Sequence, residues 1–230
     1  MKRVLDAVVF DLDGTLIDTA PDLHAHLVAM LQELGRPALS LAEVRPMIGD
    51  GARVLLQRGL EASGGVPAGI DLEDLYATFL ARYTREPHRH GAVFEDAREV
   101  LEQLRGRGTA LGICTNKPQA ASDALLRAAG LDALFDAVIG GDALPVKKPD
   151  PGHLGAVLAR LGATGGRAVM VGDSGNDLAA ARAADIPCVL VSFGYTQVPA
   201  AELGADRVID HFRELPEALA ALADLAAGPA

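Results

Sequence analysis

VLDAVVFDLDGTLID, residues 4–18, decides how the rest of the chain is read. Residues 4–10 are mostly apolar and rich in β-branched side chains. That is the pattern of a strand buried on both faces of a parallel sheet. Two carboxylates, Asp11 and Asp13, follow at once, then Gly14 and Thr15. Ligands of open α/β sheets bind beyond the carboxyl ends of the strands, so acids placed there face the crevice. Taken alone, Asp-x-Asp-Gly-Thr could also be a plain turn, since Asp and Gly are common turn residues, but its place directly after a buried strand favours the site.

Downstream, residues 19–90 read as helical. Pro21 suits the first turn of a helix that runs to about residue 34 and ends at Gly35. Ser40-Leu41-Ala42-Glu43 is a capping-box pattern. Helical periodicity returns over 52–62 and 71–85, with Leu72, Leu75, Phe79 and Leu80 on one stripe. From Val93 onward strands and helices alternate. Strands are expected at 109–114, 137–139, 168–171, 188–191 and 207–209, with helices at 96–107, 117–129, 151–161, 176–184 and 212–225. Such alternation implies right-handed crossovers and a parallel sheet covered on both faces. The expected fold is therefore α/β. A Rossmann-like core of residues 1–18 plus 91–230 carries a small all-helical unit, 19–90, inserted after the first strand and motif.

The bulk properties narrow the function. The chain has 230 residues and is 50% hydrophobic but only 4% aromatic, so Ala, Leu and Val must fill the core. Its net charge of −10 argues against nucleic acid and anionic membranes as partners, because both favour basic surfaces. Asp6 and Asp11 interrupt the first apolar run, which is expected to be neither a signal peptide nor a membrane span. Cys114 and Cys188 sit in separate apolar strands and read as buried thiols, not a disulfide, which fits a cytoplasmic protein.

Four clusters each lie just past an expected strand: Asp11 with Asp13, Thr115 with Asn116, Lys148 in the run 147–151, and Asp173 with Asp177. A parallel sheet opens all its strand ends on one edge, where these residues would meet. Asp11, Asp13 and Asp173 would repel one another there unless a cation offset them. Mg²⁺ suits such hard oxygen ligands and shares its shell readily with a phosphate. Lys148 would add positive charge, and Thr115 and Asn116 would add neutral donors, around a transferring phosphoryl group. A carboxylate can itself attack phosphorus. Thr115-Asn116 is also a candidate N-cap for a helix beginning at Lys117.

The four motifs in this order resemble those of the haloacid-dehalogenase-like phosphatases, over nearly the whole chain. The resemblance implies that Asp11 is the nucleophile and Asp13 the general acid and base. It implies that Mg²⁺ is held by the Asp11 and Asp173 carboxylates and the Asp13 backbone, with Asp177 in support. It also gives Thr115, Asn116 and Lys148 the phosphoryl group, Lys148 being preferred to Lys147 because it directly precedes Pro149. Dehalogenases of the family lack the second acid, and sugar-phosphate mutases often have Val where Thr15 stands, so both activities are disfavoured. The insert resembles the family's cap domain. Residues 45–51, 193–195 and 204–210 are similar to segments of bacterial phosphoglycolate phosphatases. A small phosphorylated metabolite, phosphoglycolate first, is the expected substrate, with Gly14, Thr15, Gly49, Gly51 and Arg53 as candidate contacts. Arg53 is equally compatible with a solvated surface cation. Nucleotide, pyrophosphate or sugar-phosphate hydrolysis, a mutase and a non-enzymatic phosphate-binding module are the alternatives. Monomer and homodimer stay open. His88-Arg89-His90, beside Pro87 and Gly91, reads as a hinge loop and not a metal pair. Asp185 stands where relatives usually carry Gly at a helix end, a position that Asp tolerates.

Overall fold

The computed structural model describes residues 5–163 and 167–225. In chain order the elements are β1 (Ala7–Phe10), β2 (Ile17–Asp18), α1 (Ala20–Glu33), α2 (Leu41–Val44), α3 (Ala52–Ala62) and α4 (Leu72–Arg85). Next come β3 (Ala92–Val93), α5 (Ala97–Gly106), β4 (Ala110–Cys114), α6 (Gln119–Ala128), β5 (Ala137–Ile139) and α7 (Pro151–Arg160). The chain continues through β6 (Ala168–Gly172), α8 (Gly175–Ala183), β7 (Cys188–Val191), α9 (Ala200–Leu203), β8 (Arg207–Ile209) and α10 (Leu215–Leu225). Val4, the expected start of the first strand, lies outside the described residues.

Six strands form one parallel sheet in the order β5-β4-β1-β6-β7-β8. Its centre is β1, where Phe10 lies opposite Ile113 of β4 and Val171 of β6. The continuous apolar strands are explained by the two faces. Val8, Phe10, Leu111, Ile113, Val169 and Val171 pack toward α5, α6 and α10. Ala7, Val9, Met170, Cys188 and Leu190 pack toward α7 and α8. Alternate side chains of one strand serve opposite faces, so every position is apolar. Cys114 and Cys188 are both buried and free.

The helices between β2 and β3 have a hydrophobic cluster of their own, built from Leu27, Leu31, Leu56, Leu60, Phe79 and Tyr83. Ala121 of α6 joins it, so α4 rests on the sheet-bearing part. The capping box at Ser40 forms, with Glu43 N–H donating to Ser40 Oγ and Ser40 N–H donating to Glu43 Oε2. Asp71 caps α4 in the same way as an acceptor for Glu73 N–H. Chain entry and exit run side by side, because Ile17 pairs with Val93 and Asp18 with Ala92 as a short antiparallel ribbon. The exit loop is tied to α1 by Asp22, which is fully buried and accepts the N–H groups of Arg89, His90 and Gly91 at 2.9, 2.7 and 2.9 Å. Asp185 adopts φ +55°, the left-handed conformation expected there. Among the described residues no helix is long and apolar enough to cross a membrane.

One expected boundary is displaced. The helix after β4 begins at Gln119, with Pro118 at its N-cap and no side-chain cap, so Thr115-Asn116 does not cap it. Proline disfavours helical backbone at the residue before it, which keeps Lys117 out of the helix.

Candidate active site

The sheet's register brings the motifs to one edge. Asp11 continues the β1 ladder, donating its N–H to Val171 O at 2.9 Å. Its carboxylate Oδ1 accepts Leu12 N–H at 2.7 Å and lies 3.0 Å from Lys148 Nζ. The same ammonium sits 2.6 Å from Asp177 Oδ1. The other oxygen of Asp177 accepts from Asp173 N, Ser174 N and Ser174 Oγ, so Asp177 both anchors Lys148 and ties down the turn carrying Asp173. Asp173 accepts Thr15 Oγ1–H at 3.3 Å and Tyr195 N–H at 2.7 Å. Lys148 is held from behind by buried His153, whose Nδ1 accepts Lys148 N–H while Nε2 faces Gly140 O, both at 3.2 Å. That pattern requires a neutral ring, and burial together with the Lys148 charge does lower the His153 pKa. Lys147 turns the other way and donates to Asp50 O at 2.7 Å.

Asp13 lies across from this group. Thr19 Oγ1 donates to its Oδ1 at 2.7 Å, and Lys117 Nζ donates to Oδ1 at 2.9 Å and Oδ2 at 3.3 Å. The Lys117 ammonium also lies 4.0 Å from the centroid of the Tyr83 ring. Asn116 Nδ2 donates to Gly49 O and Lys148 O, both at 3.1 Å, and so joins the 45–51 loop to the lysine loop. Glycine is required at two of these positions. At Gly14, φ is +81° and a Cβ would come 2.7 Å from Asp173 Oδ2; at Gly51, φ is +95° and a Cβ would come 2.9 Å from Asn116 O.

A cavity of about 370 Å³, all non-atom space included, opens over Asp11, Asp13, Thr115, Asn116 and Lys117. Gly49, Gly51, Ile48, Leu55 and Tyr83 of the helical insertion form its opposite wall. Arg53 is not among the lining residues. Its guanidinium donates to Glu73 Oε1 through Nε at 3.0 Å, and the two side chains are 48% and 58% exposed. The expectation that Arg53 meets substrate gives way to an ion pair on the outside of the insertion. Two buried polar atoms of cavity-lining residues have no hydrogen-bond partner, Tyr83 Oη and Asn116 Oδ1.

The electrostatics are those of a site short of positive charge. Burial pushes the Asp11 carboxyl from 3.8 up to about 6, against the pull of Lys148. Burial, then the neighbouring Asp177 and Asp11, raises Asp173 well above the usual carboxylate range. Burial works against the Lys148 ammonium, yet Asp11 and Asp177 hold it above its ordinary value. Asp11, Asp173 and Asp177 each offer an oxygen within 4.8 Å of the others. Three buried hard-oxygen donors whose charge one lysine leaves under-compensated fit a divalent cation.

The family model of the haloacid dehalogenase-like hydrolases matches residues 5–185. The chain belongs to that family. A phosphoglycolate phosphatase of Caulobacter vibrioides is 46% identical over 214 residues, covering 92% of this chain and 89% of the relative. Among solved structures, a predicted phosphoglycolate phosphatase from Haemophilus somnus superposes with a TM-score of 0.88 at 30% identity, over 93% of this chain and 97% of that one. CbbY from Rhodobacter sphaeroides, in complex with phosphate, gives 0.79 at 27% identity, over 92% and 96%.

In this haloacid dehalogenase-like hydrolase, three residues at the site carry contacts that its motifs did not assign. Lys117 stands at the start of an expected helix, but Pro118 keeps it outside the observed one, which begins at Gln119. Tyr83 sits at a helical stripe position and looks like core from sequence. Tyr195, in the 193–195 segment, does more than its motif suggests. Its N–H serves Asp173, while its hydroxyl donates to Asp18 Oδ1 at 2.7 Å and accepts Ala20 N–H at 2.9 Å.

Proposed function

We propose that the protein is a Mg²⁺-dependent phosphomonoesterase that hydrolyses 2-phosphoglycolate through a phosphorylated Asp11. The observation that carries this reading is the convergence of Asp11, Lys148, Asp173 and Asp177 at one buried edge, with Asp13 facing the same cavity. Asp11 and Asp173, with the Asp13 backbone carbonyl, would hold the ion, and Asp177 would support them through Lys148 and the 173–174 backbone. The ion, when bound, supplies charge that offsets nucleophile and phosphate together.

A carboxylate oxygen of Asp11 attacks phosphorus, and the bond from phosphorus to the glycolate oxygen breaks. Asp13 gives its proton to that oxygen. It then takes a proton from water as the water oxygen attacks phosphorus, releasing inorganic phosphate and restoring Asp11. Lys148 stays against Asp11 and stabilises charge on the phosphoryl oxygens, and Thr115 donates to them. The insertion acts as a cap. Its 45–51 loop reaches the core through Asn176 Nδ2 to Asp50 Oδ1 at 2.8 Å and Gln197 Nε2 to Pro46 O at 3.2 Å. Such closure keeps water out while Asp11 is being phosphorylated. The names of the relatives at 40–46% identity support phosphoglycolate as substrate.

The test is a panel of phosphate esters, including nucleotides and sugar phosphates, assayed with Mg²⁺ and read as kcat/KM. Phosphoglycolate is expected to rank first, and Asp11→Asn to abolish turnover. A low rank for phosphoglycolate removes the substrate assignment. Retained turnover in Asp11→Asn removes the mechanism.

A further inference from the structure

We propose that Lys117 and Tyr83 form a subsite for a carboxylate carried by the leaving alcohol. This rests on the reading above and deepens it. The leaving oxygen must reach Asp13, and Lys117 Nζ is already in hydrogen-bond contact with both oxygens of Asp13. Whatever the alcohol carries one or two bonds from its oxygen therefore falls beside Lys117. Lys117 is 3% exposed and is the only cation among the residues lining the cavity; Arg53 pairs with Glu73, Lys147 with Asp50 O, and Lys148 with Asp11 and Asp177 on the phosphate side. An ammonium has three N–H donors. Among the described residues its hydrogen-bond acceptors all belong to one carboxylate, that of Asp13.

Tyr83 is an independent witness. The residue is fully buried and lines the same cavity, its ring lies under the Lys117 ammonium, and its hydroxyl has no partner. A buried hydroxyl without a partner costs stability, so a phenylalanine would be the better residue unless the group has a ligand to meet. Leu23, Ile48, Ala52 and Leu55 contribute apolar side chains to the remaining wall. A short hydroxy-acid ester meets all three demands: phosphate over Asp11, ester oxygen at Asp13, carboxylate within reach of the Lys117 ammonium and the Tyr83 hydroxyl.

The test compares phosphoglycolate with 2-hydroxyethyl phosphate, in which a neutral CH₂OH replaces the carboxylate. The readout is the ratio of their kcat/KM values, because losing Lys117 also disturbs Asp13 and lowers both. In Lys117→Met the ratio is expected to fall by about 30-fold or more, the scale of one lost buried charge contact. In Tyr83→Phe the ratio is expected to fall by roughly fivefold, through the KM of phosphoglycolate. Tyr83→Phe removes a hydroxyl without a hydrogen-bond partner among the described residues, so it keeps the proposal testable if Lys117→Met does not fold. A wild-type preference for phosphoglycolate that both variants preserve overturns the subsite and leaves the substrate assignment standing. A wild-type enzyme that treats the two esters alike overturns both.

Discussion

Lys148 touches two carboxylates, Asp11 at 3.0 Å and Asp177 at 2.6 Å, and its neighbour Lys147 touches neither. Removing the Lys148 charge would leave two buried acids facing each other and strip the phosphoryl group of its fixed cation. Lys148→Met is therefore expected to lower kcat by at least ~100-fold, the effect of losing a preorganised charge at a reacting centre. Lys147→Met breaks only an exposed bond to a backbone carbonyl and is expected to cost under about tenfold by the same comparison. Steady-state phosphate release on both variants checks the pair, and equal losses would undo the choice between the lysines. The sequence made this choice legible through Pro149. It did the same for the acids, since each follows an apolar strand. It hid Tyr83, because an aromatic on a helical stripe is indistinguishable from core until its hydroxyl is seen without a partner.

Asp22 shows how one side chain can set the bearing of a whole element. Three consecutive N–H groups of the exit loop converge on its buried carboxylate. Each bond to an ionised acceptor is stronger than a neutral one, and removing the acceptor orphans donors at a buried site. Asp22→Ala is expected to destabilise the protein by roughly 3 kcal/mol in urea unfolding. The same variant should raise KM, since the loop that carries the insertion back to the sheet loses its anchor. A loss of stability below about 1 kcal/mol would show that the loop is held by other means. The hinge reading of His88-Arg89-His90 rests on Pro87 and Gly91 beside it, and nothing in sequence pairs Asp22 with a loop 67 to 69 residues away. The ribbon of β2 and β3 escaped for a different reason: two residues per strand are too few to show alternation. Long amphipathic helices and fully buried strands were readable because their periods repeat.

At the scale of the molecule the dominant tension is negative charge. The chain carries −10, and three buried acids, Asp11, Asp173 and Asp177, converge where the sheet's strands end. Burial raises Asp11 from 3.8 to about 6 and raises Asp173 as well. Between those values the folded protein binds more protons than the unfolded chain does, so stability of the metal-free protein falls as pH rises through that window. A divalent cation reverses the loss where the carboxylates are ionised. Thermal unfolding of EDTA-treated protein should therefore show a Mg²⁺-induced rise in Tm of several degrees near pH 7.5 and a much smaller one near pH 5, where protons compete for the same oxygens. Equal rises at both pH values would mean that the ion binds elsewhere.

The chain enters the insertion at Asp18 and leaves it at Ala92 through backbone positions that face each other in the short ribbon. Everything between them is a detour whose two ends already touch. Such an excursion can be lengthened, swapped for another or trimmed without re-threading a single strand. One wall of the cavity can thereby be recast while the strand ends that carry the acids, and Lys117 beside them, stay where they are.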